Sequence, residues 1–495
     1  MVGIFRWLKL VAVLTMLAAA VVVQAGELTP GELYSRCYVR LVRRPLAAMD
    51  PVLAQVNAGT LAAPTACLNL FDKAQLGQTS GQLANPGNGE AQEIVRTFQM
   101  LHRTFFQSRA TAVDALYFRT VQALLSDMEE PALYFTRAAL QRTVRFDSVV
   151  TFNQPLRGVR LRPTSTLTNY QSQRLHRYSS TLLGDTSGVT LRYRTPTNTL
   201  AAFEIPDGEL VDFGALIGVE PATPLRIPFA QRPAIEASRT QLRNEFATQL
   251  VNVDVRRHFG AGLIGSQGFL HANANLQTLT FSQGEELINR RVSARVFEDL
   301  LCHQLPSLNA ADVAGDVNTS SPYPFRRSVS CMQCHTSVDP MAGTLRNIVF
   351  LRSASLIPAD GAANTFVFGL NPVASSLDEN LQMPTGRLSY RENISGDHVN
   401  VAVNSLSDLG QRLAGGNDLY LCAAKRYYQF VTGINVPLQV LNTTAANFAL
   451  NKRHQDFVVH LGQRLKATQS VRTVLELIFQ SPTFRARNYL SEVSQ

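Results

Sequence analysis

Residues 331–335 read Cys-Met-Gln-Cys-His, two thiols three positions apart followed at once by an imidazole. On a tight turn, two thiols at this spacing can each add to one of the two vinyl groups on an edge of a porphyrin, and the adjacent imidazole is then held beneath the iron. The motif is the attachment signature of c-type haem. We therefore expect one covalent haem c, with Cys331 and Cys334 as attachment residues and His335 as the proximal iron ligand.

Two other kinds of site share part of this pattern. A thioredoxin-like redox pair also has two cysteines at this spacing, but it sits between a strand and a helix, and the polar residues around this motif do not predict that setting. A structural zinc site needs a second pair of ligands, for which Cys302 and His303 are the nearby candidates. The sequence favours haem over both.

The N-terminal segment predicts export. Arg6 and Lys9 precede a 14-residue apolar run from Leu10 to Val23, and residues 23–25 form a small-residue cleavage site, so residues 1–25 are predicted to be a secretory signal peptide. The run is shorter than the roughly 20 apolar residues that span a bilayer. We expect an exported chain with no transmembrane segment once mature, in the periplasm, at the outer surface or outside the cell.

Composition excludes several other classes of protein. With 495 residues, of which 45% are hydrophobic and 17% charged, the chain is neither disordered nor a small disulfide-stapled domain, and roughly two to four domains are expected. The formal net charge is +9, yet the basic residues are scattered and form no recognisable nucleic-acid motif. We expect no nucleic-acid partner; a basic chain can still dock an acidic partner protein.

The hydrophobic pattern predicts a mainly α, multi-domain protein. Helical spacing follows residue 94, recurs at 234–255 and 284–305, and predicts C-terminal helices over 405–413 and 418–431 and around Val471 to Phe479, whereas 309–324 reads as a polar loop. The predicted units are a signal peptide (1–25), an N-terminal helical segment with a cysteine pair (26–80), a linker (81–93), a helical domain (94–148), a loop- and strand-rich insert (149–233), a helical segment (234–310), a helical cytochrome c-like haem region (311–390) and a C-terminal helical bundle (391–495).

Four cysteines lie outside the motif. An even remainder in an oxidising compartment predicts two disulfides, for which three pairings exist. We favour Cys37 with Cys67, a local pair, and Cys302 with Cys422, which would tie the segment before the motif to the C-terminal bundle. Buried free thiols are the alternative.

The sixth iron ligand is less constrained by the sequence. A methionine thioether raises the reduction potential of low-spin cytochromes, and Met383, followed by Pro384 in a loop, is the favoured candidate. Met341, His398, His303 and an open position are alternatives, and Met383 as an ordinary apolar residue is another. Arg326 and Arg327 are candidates for contacts with haem propionates or a partner, or are solvated surface residues.

A glycine-rich stretch matches the spacing of a dinucleotide-binding motif. Residues 260–265 read Gly-Ala-Gly-Leu-Ile-Gly, and Glu285 lies at a suitable distance for a ribose contact. We expect no strand before it, because residues 254–258 are charged, so a dinucleotide site is not predicted.

Several segments resemble the planctomycete-type cytochrome family. The resemblance extends over about residues 94–487 and is carried by Gly262 to Leu270, Arg290-Arg291, Leu300-Leu301-Cys302, the haem motif, Asp339-Pro340, Pro384 to Arg387, Cys422, Phe430 to Gly433 and Ile478 to Arg485. It implies a mostly helical exported protein with one covalent haem c held by Cys331, Cys334 and His335, and it implies no reaction. The chain departs from the family at Ala342, where glycine is usual, and over residues 165–233.

These features together predict a monohaem c-type cytochrome that transfers electrons to or from an unidentified redox partner protein. The length leaves two alternatives open, because about a hundred residues suffice to wrap one haem. One is a haem-dependent periplasmic oxidoreductase with a substrate site in the insert. The other is a surface binding or assembly module in which the haem is structural.

Overall fold

The computed structural model describes residues 26–77, 83–85, 87–106, 130–154, 156, 258–273, 284–353, 365–370, 383–439 and 441–487, together with short strands between 159 and 253. The predicted signal peptide and most of the predicted insert lie outside these residues. The described chain is mainly helical, which confirms the predicted fold class at that level.

The helices in chain order are α1 (Pro30–Val42), α2 (Pro51–Asn57), α3 (Ala63–Asp72), α4 (Gly89–Thr104), α5 (Glu130–Leu140), α6 (Ser148–Thr151), α7 (Gln267–Asn273), α8 (Gly284–Arg295), α9 (Ala310–Val313), α10 (Val329–Ala342), α11 (Leu406–Gly415), α12 (Asp418–Thr432), α13 (Phe448–Thr468), α14 (Val471–Gln480) and α15 (Pro482–Arg485). Short 3₁₀ turns cover Gly262–Gly265, Ala314–Asp316, Pro324–Arg327 and Gly343–Leu345, and a π-helical turn covers Val296–Leu300.

The strands form two-stranded antiparallel pairs. They are β1 (Val159–Arg160) with β4 (Val211–Asp212), β2 (His176–Arg177) with β3 (Glu204–Ile205), β5 (Leu225–Pro228) with β6 (Leu250–Val253), β7 (Ile348–Ser353) with β8 (Thr365–Leu370), and β9 (Gly386–Arg391) with β10 (His398–Val403). In the last pair His398 faces Arg391 and Val403 faces Gly386.

Helices from the two ends of the chain share one apolar core. Helix α1 packs against α3, α4 and α12, and α3 packs against α14. At the edge of this core Arg472 binds the carboxylate of Asp72 with two nitrogens, and Arg36 donates to the carbonyls of Phe484 and Ala486. The N-terminal and C-terminal parts of the described chain are therefore held together, while the predicted domain boundaries stay predictions.

Apolar periodicity explains the C-terminal helices. The predicted stripe of α14, residues 471, 474, 475, 478 and 479, is fully buried, and each such side chain contributes about 1.5–3 kcal/mol on burial. Helix α11 follows the N-cap Ser405, whose hydroxyl accepts from the amide of Asp408, and α12 ends at Gly433 in the left-handed conformation. These helices confirm the predicted ones.

Three local predictions were wrong. The helix predicted over 234–255 is contradicted at its C-terminal end, where Leu250 to Val253 form strand β6 paired with β5, and the rest of that range lies outside the described residues. The polar loop predicted over 309–324 includes helix α9, whose first turn is stabilised by a hydrogen bond from the backbone amide of Asn309 to Oδ2 of Asp312. The predicted helical bundle over 391–495 begins with strand β10.

The glycine-rich stretch over residues 260–265 forms a tight packing turn. Strand β6 does precede it, contrary to the prediction, but it pairs antiparallel with β5 and is followed by a 3₁₀ turn. Gly262 has φ +55°, and a Cβ there would lie 2.1 Å from the carbonyl oxygen of Val149. This glycine thus allows close backbone approach to α6, and the parallel strand and long helix of a dinucleotide site are lacking among the described residues here.

Both predicted disulfides are confirmed. Cys37 is bonded to Cys67, and Cys302 is bonded to Cys422. The first bond joins α1 to α3, and the second joins the segment after the π-helical turn to α12. Two such bonds are compatible with an exported protein.

No helix in the described part of the chain has the length and apolar character needed to cross a bilayer.

A fully buried histidine predicts how stability depends on pH. The ring nitrogens of His102 lie 2.8 Å from the hydroxyl of Thr136 and 3.0 Å from that of Tyr427, and burial, with the nearby Arg426, lowers the pKa of His102 to about 3. The unfolded chain therefore takes up a proton below about pH 6.5, whereas the folded chain does not. We expect the free energy of unfolding to fall as pH drops from 7 to 5, with a slope of up to about 1.4 kcal/mol per pH unit from this group.

Denaturant unfolding of the His102→Gln variant at several pH values tests this expectation. The slope between pH 7 and pH 5 should be shallower than in the wild type, whereas His460→Gln, at an exposed position, should leave it unchanged. Equal slopes in all three proteins would contradict the assignment of a buried neutral imidazole.

Candidate functional site

The Cys-x-x-Cys-His motif lies within helix α10. Residues i, i+3 and i+4 share one face of a helix, so Cys331, Cys334 and His335 project from the same side. Cys331 is exposed, and Cys334 and His335 are half-buried. Met332 and Thr336, on a neighbouring face of the helix, are buried.

The motif therefore lies on a helix, and the expectation of a tight turn was wrong. Ser328 precedes α10 in an extended conformation, and the helix runs on through the whole motif to Ala342. Val338 and Met341 are also buried, and they lie four and seven residues beyond Cys334 on the same face, so this face is covered toward the C-terminal end of the helix. Helical spacing brings the three motif side chains together as effectively as a turn would.

Two close backbone contacts hold the C-terminal end of α10 against the segment that contains β9. Strand β9 packs closely, because a Cβ at Gly386 would lie 2.2 Å from the carbonyl oxygen of Pro340. A Cβ at Gly343 would lie 2.5 Å from the carbonyl oxygen of Thr385. A larger residue at either glycine would therefore force the end of α10 away from β9 and the residue before it.

The imidazole of His335 is held by a carboxylate one helical turn further on. Its Nδ1 lies 3.0 Å from Oδ2 of Asp339, which leaves Nε2 as the ring nitrogen able to bind a metal. Asp339 is in turn bound by Arg290 of α8, with Nε 2.8 Å from Oδ1 and Nη2 3.1 Å from Oδ2. The ring of Phe325 stacks on the imidazole at 4.2 Å between centroids and 26° between planes. The orientation of the imidazole is thus fixed at one edge and on one face.

The two motif thiols are free, whereas the other four cysteines are paired in disulfides. Burial raises the pKa of the Cys334 thiol, and the neighbouring Cys331 raises it further. A reactive redox dithiol needs a lowered thiol pKa and a preceding strand. The residues before α10 instead form the 3₁₀ turn Pro324–Arg327. The structure gives the thioredoxin-like alternative no support.

The proposed second ligand pair of a zinc site is engaged elsewhere. Cys302 is bonded to Cys422, and Nε2 of the buried His303 lies 2.7 Å from Oδ2 of the buried Asp418. Among the residues that the structure describes, no group of three or more His, Cys, Asp or Glu side chains could hold a metal ion.

Arg326 and Arg327 are exposed on the turn that leads into α10. The guanidinium of Arg326 lies 5.6 Å from the ring centroid of Tyr323 and 5.8 Å from that of Phe325. Nε of Arg327 donates to the carbonyl of Ser321. Through Phe325, this turn borders His335, so both arginines lie beside the motif.

Met383 lies just before β9, with a side chain that is 58% exposed. Its carbonyl accepts from Nη1 of Arg346 and from the amide of Thr385, which brings it toward the C-terminal end of α10. Its role as sixth ligand stays a prediction.

The other sixth-ligand candidates have partners or are enclosed. Met341 is 1% exposed. Nε2 of His398 lies 3.1 Å from the hydroxyl of Ser389, and its Nδ1 faces Asp312 at 3.7 Å. His303 is the buried partner of Asp418, which matches the reading of a satisfied core histidine.

Sequence reasoning assigned no role to Asp339, Arg290 or Phe325 beside His335. The helical spacing from His335 to Asp339 is a signal that would have identified the carboxylate. Arg290 is 49 residues from Asp339 in the chain, so no local pattern connects them.

The chain matches no known protein-family model, no curated protein and no solved structure. The resemblance to the planctomycete-type cytochromes therefore remains an expectation carried by the residues quoted for it.

Proposed function

We propose that the protein is an exported monohaem c-type cytochrome that transfers electrons. The observation that carries the proposal is the arrangement on α10, where two free thiols and an imidazole with Nδ1 bound to Asp339 share one helical face. The donor set fits the group, because haem c needs two thiols near one histidine and a metal-bound histidine commonly donates its other N–H to a carboxylate.

The proposal gives the two cysteines and the histidine of the motif separate roles. The Cys331 and Cys334 thiols would each add across a vinyl double bond, with sulfur bonding to one carbon and hydrogen to the other. His335 would bind iron through Nε2, while Asp339 and Phe325 hold its ring. A bound haem c supplies one-electron exchange between ferric and ferrous iron.

The surroundings of the motif suit a redox protein partner. Arg326 and Arg327 present positive charge on the exposed turn beside α10, which would favour an acidic surface on the partner or the haem propionates. The predicted signal peptide supports a location in the periplasm, at the outer surface or outside the cell.

A reduced-minus-oxidised absorption spectrum tests the proposal, on protein exported from a host with haem-c maturation. We expect a low-spin c-type spectrum and a sulfur-to-iron charge-transfer band that the Met383→Ala variant lacks. The Met341→Ala variant is the control and should keep the band. A band that survives Met383→Ala would refute Met383 as sixth ligand, and a high-spin spectrum in the wild type would favour the oxidoreductase alternative.

A further inference from the structure

Arg290 reaches the motif from a different helix. It lies on α8, which packs against α10, and its Nη2 donates a hydrogen bond to Oδ2 of Asp339, while its Nε lies 2.8 Å from Oδ1 as an ion-pair contact. The carboxylate that Arg290 binds is the one that accepts from His335.

Asp339 thus divides its negative charge between two donors. Its Oδ2 lies 3.0 Å from Nδ1 of His335 and 3.1 Å from Nη2 of Arg290. A carboxylate that accepts from an imidazole N–H makes that imidazole a stronger electron donor through its other nitrogen. A guanidinium on the same carboxylate draws charge away from this hydrogen bond and weakens the effect.

We propose that Arg290 is a positioning residue that acts through Asp339 to set how strongly His335 donates electrons to iron, and thereby sets the reduction potential. The inference rests on the proposed function. Stronger donation stabilises ferric iron and lowers the potential, so Asp339 lowers it and Arg290 offsets part of that lowering.

Because these groups are partly exposed to water, an effect that passes through the hydrogen bond to His335 can be distinguished from a direct electrostatic effect on the iron. The side chains of Arg290 and Asp339 are 36% and 22% exposed, so water screens their direct field at the iron. The route through the hydrogen bond to His335 is not screened in the same way. An effect of Arg290 that depends on Asp339 therefore identifies that route.

A double-mutant cycle on midpoint potential tests the inference, with the haem-loaded wild type, Asp339→Asn, Arg290→Gln and the double variant. We expect a positive shift for Asp339→Asn and a negative shift for Arg290→Gln. In the Asp339→Asn background, Arg290→Gln should produce a much smaller shift. Shifts that add, or potentials that do not change, would overturn the inference.

Arg326 provides a matched control. Its guanidinium lies 5.8 Å from the Phe325 centroid, against 5.6 Å for Arg290, but it does not bind Asp339. Whatever shift in midpoint potential Arg326→Gln causes should be the same in the wild-type and the Asp339→Asn backgrounds.

A second variant is available if Arg290→Gln does not accumulate. Arg290→Lys keeps the charge but cannot contact both carboxylate oxygens in the same way, and its negative shift should likewise be smaller in the Asp339→Asn background. Chains without covalent haem would contradict the proposed function itself, whereas haem-loaded chains with additive shifts contradict the inference alone.

Discussion

Replacing Cys331 and Cys334 together by alanine should abolish covalent haem. Without both thiols no thioether can form, and only the contacts of His335 would remain to hold the group. The variant, exported from a host with haem-c maturation, should show no haem stain on a denaturing gel, whereas the wild type stains. Each single substitution should leave at most one thioether and a reduced stain.

Ser330→Ala is the control for this experiment. Ser330 lies directly before the motif, and its hydroxyl contacts only the hydroxyl of Ser328 among the hydrogen bonds of this turn. This variant should stain like the wild type. Equal staining of the double cysteine variant would contradict attachment at the motif.

Loss of the Cys302–Cys422 bond should cost the fold more than loss of the Cys37–Cys67 bond. The first closes a separation of 120 residues and the second a separation of 30, and the chain-entropy model assigns them about 5 and about 3.6 kcal/mol. Denaturant unfolding of Cys302→Ala, Cys422→Ala should therefore show the larger decrease in the free energy of unfolding.

The Cys37→Ala, Cys67→Ala variant is the matched control for this comparison, because it also replaces the two cysteines of one disulfide by alanine. Where a double variant does not accumulate, the single variants Cys302→Ala and Cys37→Ala, each of which breaks one bond, report the same ranking by their resistance to proteolysis. An equal or smaller loss for the Cys302 pair would show that other contacts hold that junction, such as the hydrogen bond from the side chain of Asn393 to the carbonyl of Leu301.

Local sequence signals predicted the elements that depend on local physics. The stripe from Val471 to Phe479 fixed α14, and the even number of remaining cysteines, with their spacing, led to both disulfides. Helix α13 was missed, because its buried face includes His454 and Gln455 and so has no clean apolar period. Tertiary partners satisfy both, since Tyr428 bonds to His454 and Gln455 donates to the carbonyls of Pro437 and Gln439.

The candidate site likewise has residues that local sequence signals identify and residues that only the tertiary packing brings in. Three of its residues, Cys331, Cys334 and His335, are adjacent in the chain and could be identified from spacing alone. Arg290 and Phe325 reach His335 from separate elements, and only the packing of α8 and the turn before α10 brings them there. Met383 follows residues that the structure does not describe, so its relation to His335 depends on the spectroscopic test.

The mass of the denatured wild-type chain is the most direct test of the central claim. The protein should be exported from a host that matures c-type haem, and its haem stain should be recorded alongside. We predict a chain that begins at Gly26, carries the added mass of one haem and stains after denaturation. A chain of unmodified mass with no stain would contradict the account and would return Cys331 and Cys334 to the redox-dithiol or zinc alternatives.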